Sequence, residues 1–398
     1  MGPDADVLVV GAGPAGSATA LLLARRGYRV VVVDRARFPR PKPCGEYLNP
    51  AAVAALDRMG IARSVASGGT SLSGMFLAGP DGTAAWVPFP SGRGLLIPRE
   101  RLDHAVLSAA ASAGALVLEE FRVDRVTPGV MPAVTGRHRG RTLRLAARLV
   151  VGADGIRSVV ARHCGPLASP ADVRYTVGAH FEGLQAPVPR GDLHLGGGWY
   201  AGAALYGGGF GNVVVAAPRT LFRRAGRDPA ALFHALCDGL PVLRGIVRGA
   251  RRLSPFVAVG PLGHVRRPAV GDGLLLVGDA AGPIDPMTGE GIALALRGAE
   301  LASDAADGAL RGGPASQAAL APYERARRAA FRDTWQTSRL LQWIVRRPRL
   351  AAALFRRLAD DPTLIRALLG VVSGVLPARD ILLAAALARL VAGPRRRG

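Results

Sequence analysis

Residues 7–16 read VLVVGAGPAG, and residues 29–34 read RVVVVD. The apolar run Val7 to Val10 predicts a short buried strand, and Pro14 to Arg26 has the composition of a helix that opens on a proline. Between them Gly11, Gly13 and Gly16 take the spacing G-x-G-x-x-G, and the second strand ends in Asp34, 23 residues after Gly11. Strand, glycine turn, helix and strand make a βαβ unit that binds a dinucleotide. Gly11 allows the tight turn, and Gly13 leaves room for a pyrophosphate at the helix N-terminus, beside Pro14 and Ala15. Gly16 lets helix and strand close on each other. Asp34, followed by Arg35, is placed to accept hydrogen bonds from a ribose diol. Hydropathy by itself would read the uncharged stretch Val7 to Ala24 as a membrane span, but its central glycines and proline break it into strand, turn and helix.

The rest of the chain is that of a large globular protein. Its 398 residues suggest two to three domains. Hydrophobic residues make up 49 % and charged residues 20 %, which excludes disordered, collagen-like and coiled-coil classes. The net charge is +22, and Lys42 is the only lysine among the 51 basic residues. Sixteen arginines against four aspartates lie between Arg325 and Arg397, so the charge is concentrated in the last fifth of the chain. These arginines alternate with Leu, Val and Ala rather than with aromatic residues, and no nucleic-acid partner is expected. Cys44, Cys164 and Cys237 are too few and too scattered for a disulfide framework or a metal site, so a reducing cytoplasmic setting without a bound metal is expected.

Two further apolar strands empty into Gly-Asp turns. One is LVVGADGIRS, residues 149–158, with Asp154; the other is GLLLVGDAAG, residues 273–282, with Gly278 and Asp279. Each places a carboxylate at the carboxyl edge of a parallel sheet, where open α/β folds bind ligands, although Asp before Gly or Ala is also ordinary turn chemistry. The segment Pro286-Met-Thr-Gly289-Glu290-Gly291-Ile292 then precedes a helical run, so its backbone N–H groups and the helix dipole point at whatever occupies that edge. Asp285 and Glu290 read equally well as plain N-terminal carboxylates.

In this order the three segments resemble the flavoprotein superfamily of FAD-dependent aromatic hydroxylases, geranylgeranyl reductases and flavin halogenases, over roughly residues 6–325. The resemblance implies FAD, with Asp34 on the adenosine ribose, the glycines and Pro14 and Ala15 at the pyrophosphate, and Asp154, Gly278 and Asp279 along the cofactor. It puts Pro286, Gly289, Gly291 and Ile292 at the flavin ring, and Arg99, in an Arg-x-x-Leu-Asp helix start, in a further cofactor contact. It also implies an α/β fold, α+β overall: a Rossmann-like FAD domain, a second, mainly antiparallel substrate sheet and a C-terminal helical segment. The expected boundaries are 1–75, 98–170 and 265–325 for the FAD domain, 76–97 and 171–264 for the substrate domain, and 326–398 for the basic helical region.

The proline-pinned loop 38–50 contains KPCGE and CGEYLNP, similar to the Cys-Gly segment that the reductases place over the flavin and to hydroxylases of phenolic lipids. Cys44 and Tyr47 are therefore candidate catalytic residues, with His180 and Tyr200 from the apolar strands of 171–264. His194, Trp199 and Tyr206 are further pocket candidates. The halogenase segment WxWxIP is absent, and Ala and Gly replace most of the aromatic pattern of the reductases near Trp199. The expected reaction is hydroxylation of an aromatic or phenolic-lipid substrate by O₂ through a C4a-hydroperoxyflavin; reduction of an isoprenoid C=C bond is the alternative. No second G-x-G-x-x-G serves NAD(P)H, which is expected to visit transiently unless an external reductase supplies the electrons. The Arg/Leu/Trp helices of the C-terminus either cover the core or lie peripherally on the inner face of the membrane.

Overall fold

The computed structural model describes residues 3–165, 173–186, 188–263, 267–378 and 380. Strands Leu274–Leu276, Arg141–Gly152, Ala5–Val10, Val30–Val33 and Leu116–Leu118 lie side by side in parallel, and Val270–Gly271 closes one edge antiparallel. All four residues of Val30–Val33 are buried, as a parallel strand covered on both faces requires. The helix Pro14–Ala24 packs between Arg99–Ser112 and Gly291–Gly312. It is buried nearly all round, which is why its stretch of sequence imitates a membrane span. The first half of Arg141–Gly152 leaves this sheet and pairs antiparallel with Ala133–His138, which pairs in turn with Phe121–Thr127.

The second sheet runs in the order Arg251–Arg252, Arg174–Glu182, Phe210–Pro218, Tyr200–Gly207, Arg190–Leu195, Gly74–Ala78, Ala84–Pro88, with Val257–Leu262 also on Arg174–Glu182. It is antiparallel except where Arg190–Leu195 joins Gly74–Ala78. Residues 219–247 are not sheet. They form the short helices Arg219–Arg224, Pro229–Asp238 and Pro241–Val247, whose Leu232, Phe233, Leu236 and Leu243 bury the face carrying Val177, Ala179, Val213 and Val215. The strand Gly74–Ala78 begins just inside the segment 1–75, so the chain enters the second sheet slightly before the expected boundary.

Among the described residues three C-terminal helices follow. Ser316 caps Gln317–Val345 through the Ala319 N–H, which runs unbroken across the expected boundary at 325/326. Within it the Tyr323 hydroxyl donates to the Leu276 carbonyl at 2.8 Å and Arg327 donates to the Ala281 carbonyl at 3.1 Å, fixing the helix to the nucleotide sheet. Pro348 opens the helix Pro348–Ala359; Pro362, preceded by the cap Asp361, opens Pro362–Val372. Leu358, Ile365 and Leu369 bury Leu72, Met75, Val87 and Leu96, so these helices cover the core. Among the described residues no single helix is long and apolar enough to cross a membrane.

Candidate active site

The G-x-G-x-x-G turn shows three different reasons for glycine. Gly11 has φ +103°, and a Cβ there would sit 2.5 Å from the Ala153 carbonyl oxygen. A Cβ on Gly16 would lie 1.9 Å from the Gly11 oxygen. Gly13 has nothing within 4 Å of where its Cβ would be, because it faces a cavity together with Pro14 and Ala15. No side chain caps the helix that begins there, so its first N–H groups are free for an anion. The Asp34 carboxylate accepts from the Ala12 N–H at 2.8 Å and the Ala36 N–H at 2.9 Å; Arg35 is exposed, outside the cavity wall.

Beyond the turn the wall carries charge. Gly278 and Asp279 line it, as do Ala153 and Gly155, but the Asp154 side chain accepts from the Val159 N–H at 2.7 Å and serves its own turn. Its other oxygen is buried without a partner. Arg99 is buried in a fork with Asp103, both bonds 2.9 Å, and Arg40 adds a third at 3.1 Å. Arg99 also lies against the Cys44 thiol. Lys42, ringed by protein but open to the cavity, has its pKa lowered by desolvation and by Arg99, with Asp279 opposing. Sequence reading gave Lys42 no role, although it is the sole lysine and opens the KPCGE segment.

Pro286, Thr288, Gly289, Gly291 and Ile292 also line the cavity, at the N-terminus of Gly291–Gly312. The Tyr47 ring packs on Gly289, where a Cβ would approach it to 2.8 Å; this close contact and a φ of +67° both demand glycine. Burial and the nearby Glu290 raise the Tyr47 pKa, so its hydroxyl stays protonated. Glu290 is buried, with one oxygen accepting from the Thr334 hydroxyl at 3.2 Å and the other unpartnered, and burial pushes its pKa up to about 7.

Tyr200 lines the cavity, but its hydroxyl is engaged in a lock. It donates to Asp285 at 2.6 Å, as does Gln342 at 2.6 Å, while Arg174 reaches the same carboxylate at 3.1 Å and Gln342 at 2.8 Å. The lock ties the second sheet, the 285–288 turn and the first C-terminal helix together, so Tyr200 is an anchor rather than a free acid or base. His180 stands outside the cavity wall: its Nε2 lies 3.1 Å from Glu46, which also accepts from Tyr206 at 2.8 Å. Glu46 has φ +55°, a strained position for a side chain, and Asn212 donates to the Cys44 carbonyl beside it. This network holds the Cys44–Gly45 loop in the cavity wall, and its Glu46 hydrogen bond raises the His180 pKa. His194 is fully buried 3.4 Å from Asp192, and Trp199 packs in the outer core of the second sheet.

The cavity holds about 390 Å³. One end is the glycine turn with Lys42, Arg99 and Asp279; the other is closed by Leu341, Ile344, Leu354, Phe355 and Leu369 of the C-terminal helices. The open space at Gly13, the uncapped helix and the cations fit a dinucleotide pyrophosphate, and the glycine-lined second helix N-terminus fits a flat ring. The sequence profile of the family described as FAD binding domain matches residues 4–202. The chain belongs to this FAD-binding family. Two curated relatives of the flavoprotein are reductases. A menaquinone reductase of Mycolicibacterium smegmatis is 35% identical over 328 residues, 76% of each chain. Digeranylgeranylglycerophospholipid reductase 1 of Methanothermobacter thermautotrophicus is 28% identical over 345 residues, 83% of this chain and 84% of that one. The solved structure of the flavin-dependent brominase Bmp2 superposes with a TM-score of 0.81 at 19% identity, covering 98% of this chain and all of that one, which speaks for the fold alone. The protein is an FAD-dependent oxidoreductase whose Gly13 to Ala15 turn would hold the pyrophosphate and whose Gly289 to Ile292 turn would meet the ring.

Proposed function

We propose that this flavoprotein is a reductase that saturates a carbon–carbon double bond of an isoprenoid-bearing lipid. The observation that carries the reading is the cavity itself: a charged, glycine-lined cofactor end opens directly into a chamber walled by aliphatic side chains of three helices. Such a chamber suits a long apolar chain better than a small phenol. The two reductase relatives support the same choice, and nothing comparable favours the hydroxylation expected from sequence.

Bound FAD, once reduced, supplies a hydride to one carbon of the double bond, and the neighbouring carbon takes a proton. The chain's part is placement and proton supply. The N-terminus of Gly291–Gly312, which lines the cavity, would favour negative charge on a ring held there. Cys44 and Tyr47 are protic groups in the cavity wall, Tyr47 held protonated by its burial, while the Glu46–His180–Tyr206 network keeps the Cys44 loop in place. The aliphatic walls exclude water from the reacting bond. NAD(P)H, binding transiently, or a separate reductase restores the electrons.

The test is anaerobic: protein with chemically reduced FAD is mixed with an isoprenoid glycerolipid, which has no quinone ring to take the electrons. Flavin reoxidation with a product heavier by two hydrogens is expected. NAD(P)H-dependent O₂ uptake giving a product heavier by one oxygen, with no anaerobic turnover, would overturn the reading.

A further inference from the structure

The helix Gln317–Val345 and the start of Pro348–Ala359 present an unusual surface. Leu340, Trp343 and Leu350 are 58%, 49% and 40% exposed, among the few large apolar side chains of the described residues left in water. Arg339, Arg346, Arg347 and Arg349 are exposed in the same stretch, and the Arg347 guanidinium lies 3.9 Å from the centre of the Trp343 ring. Between Asp333 and Asp360 the sequence has six arginines and no acidic residue.

We infer that this face docks on an anionic lipid bilayer, with Leu340, Trp343 and Leu350 entering the headgroup region and the arginines on the lipid phosphates. The composition matches the requirement of such a surface, apolar and aromatic side chains at one depth with a positive ring around them. An acidic protein would satisfy the arginines but offers no apolar layer for three projecting side chains. Position adds a second argument. Leu341, Ile344 and Val345, interleaved with the exposed residues on the same turns, line the cavity from the inside. The wall between bilayer and cavity is therefore one helix thick. A lipid too insoluble to cross water would pass around this helix end into the chamber; that passage rests on the proposed reaction, whereas docking stands on the surface itself.

Co-sedimentation of the full-length, FAD-loaded protein with vesicles tests the inference. Binding to phosphatidylcholine–phosphatidylglycerol vesicles and little binding to phosphatidylcholine alone are expected. Each arginine removed in a series Arg346→Gln, Arg347→Gln, Arg349→Gln should weaken binding about fivefold. The pair Leu340→Ser and Trp343→Ser should weaken it roughly tenfold or more. None of these side chains lines the cavity, so the flavin spectrum and melting temperature should stay unchanged. Absence of vesicle binding, or binding that both sets of variants leave intact, would overturn the inference. So would equal binding to soluble polyglutamate with no effect of the apolar pair, which would mark an acidic-protein surface. Vesicle binding needs no turnover, so a protein that binds vesicles but reduces no double bond would reject only the proposed reaction.

Discussion

Gly13 and Gly16 stand three residues apart and answer to different masters. A side chain on Gly13 meets only open cavity, so Gly13→Val should fold with the melting temperature of the FAD-free parent yet retain no FAD, read as a colourless purified protein. A side chain on Gly16 meets backbone at 1.9 Å, so Gly16→Val should fail to accumulate as folded protein at all. Glu290 gives a residue-scale pH dependence. Its carboxyl titrates near pH 4.5 when unfolded and at about 7 when folded, so the folded state holds an extra proton between those values. The contribution of this group to stability is best at low pH and declines as pH rises through the window. In Glu290→Gln that decline is gone, and the melting temperature of the variant should gain on that of the unsubstituted protein from about pH 4.5 to 7 and then hold a constant lead. The turn and close-packing roles of Gly11 and Gly16 were legible in the sequence because they depend on spacing within six residues. The partners of Glu290 were not, because Thr334 lies 44 residues away on another helix.

At the scale of elements, the Asp285 lock joins a strand, a turn and a helix that are far apart in sequence. Asp285→Asn would leave the buried Arg174 guanidinium with a weakened partner, at a cost of about 3 kcal/mol. Replacing both, as Arg174→Met with Asp285→Leu, should recover little of that loss, because the Tyr200 hydroxyl and both ends of the Gln342 amide would then be buried without partners; chemical unfolding of the three proteins measures both effects. Three strands of the second sheet, Arg174–Glu182, Tyr200–Gly207 and Phe210–Pro218, were readable from their apolar, Gly-bounded segments. The helices of residues 219–247 were not, since runs such as PAALFHALC carry an apolar pattern whose covered face only the sheet beneath reveals. Tyr200 and His180 illustrate the same limit. Both were picked out as polar groups on apolar strands, but one is tied to Asp285 and the other to Glu46 by residues that no local pattern announces.

Over the whole molecule, the C-terminal helices complete the apolar wall of the cavity. Leu369→Ala should cost about 2–5 kcal/mol, as large-to-small changes in a buried cluster do. Because Leu369 belongs to the apolar wall of the cavity supplied by the C-terminal helices and not to the glycine turn, the variant should keep its FAD while its KM for a lipid substrate rises more than its kcat falls. Steady-state kinetics beside the flavin spectrum would separate the two effects. The FAD-binding unit could be read from the chain alone because strand periodicity, glycine spacing and a carboxylate at a strand end are short-range features with one geometric outcome. Chamber, lock and Cys44-loop network were decided only in three dimensions. They join residues far apart in sequence, Arg174 with Gln342 and Cys44 with Asn212 across 168 positions and Leu72 with Leu369 across 297, whose pairing depends on how sheets and helices pack rather than on any neighbour in sequence.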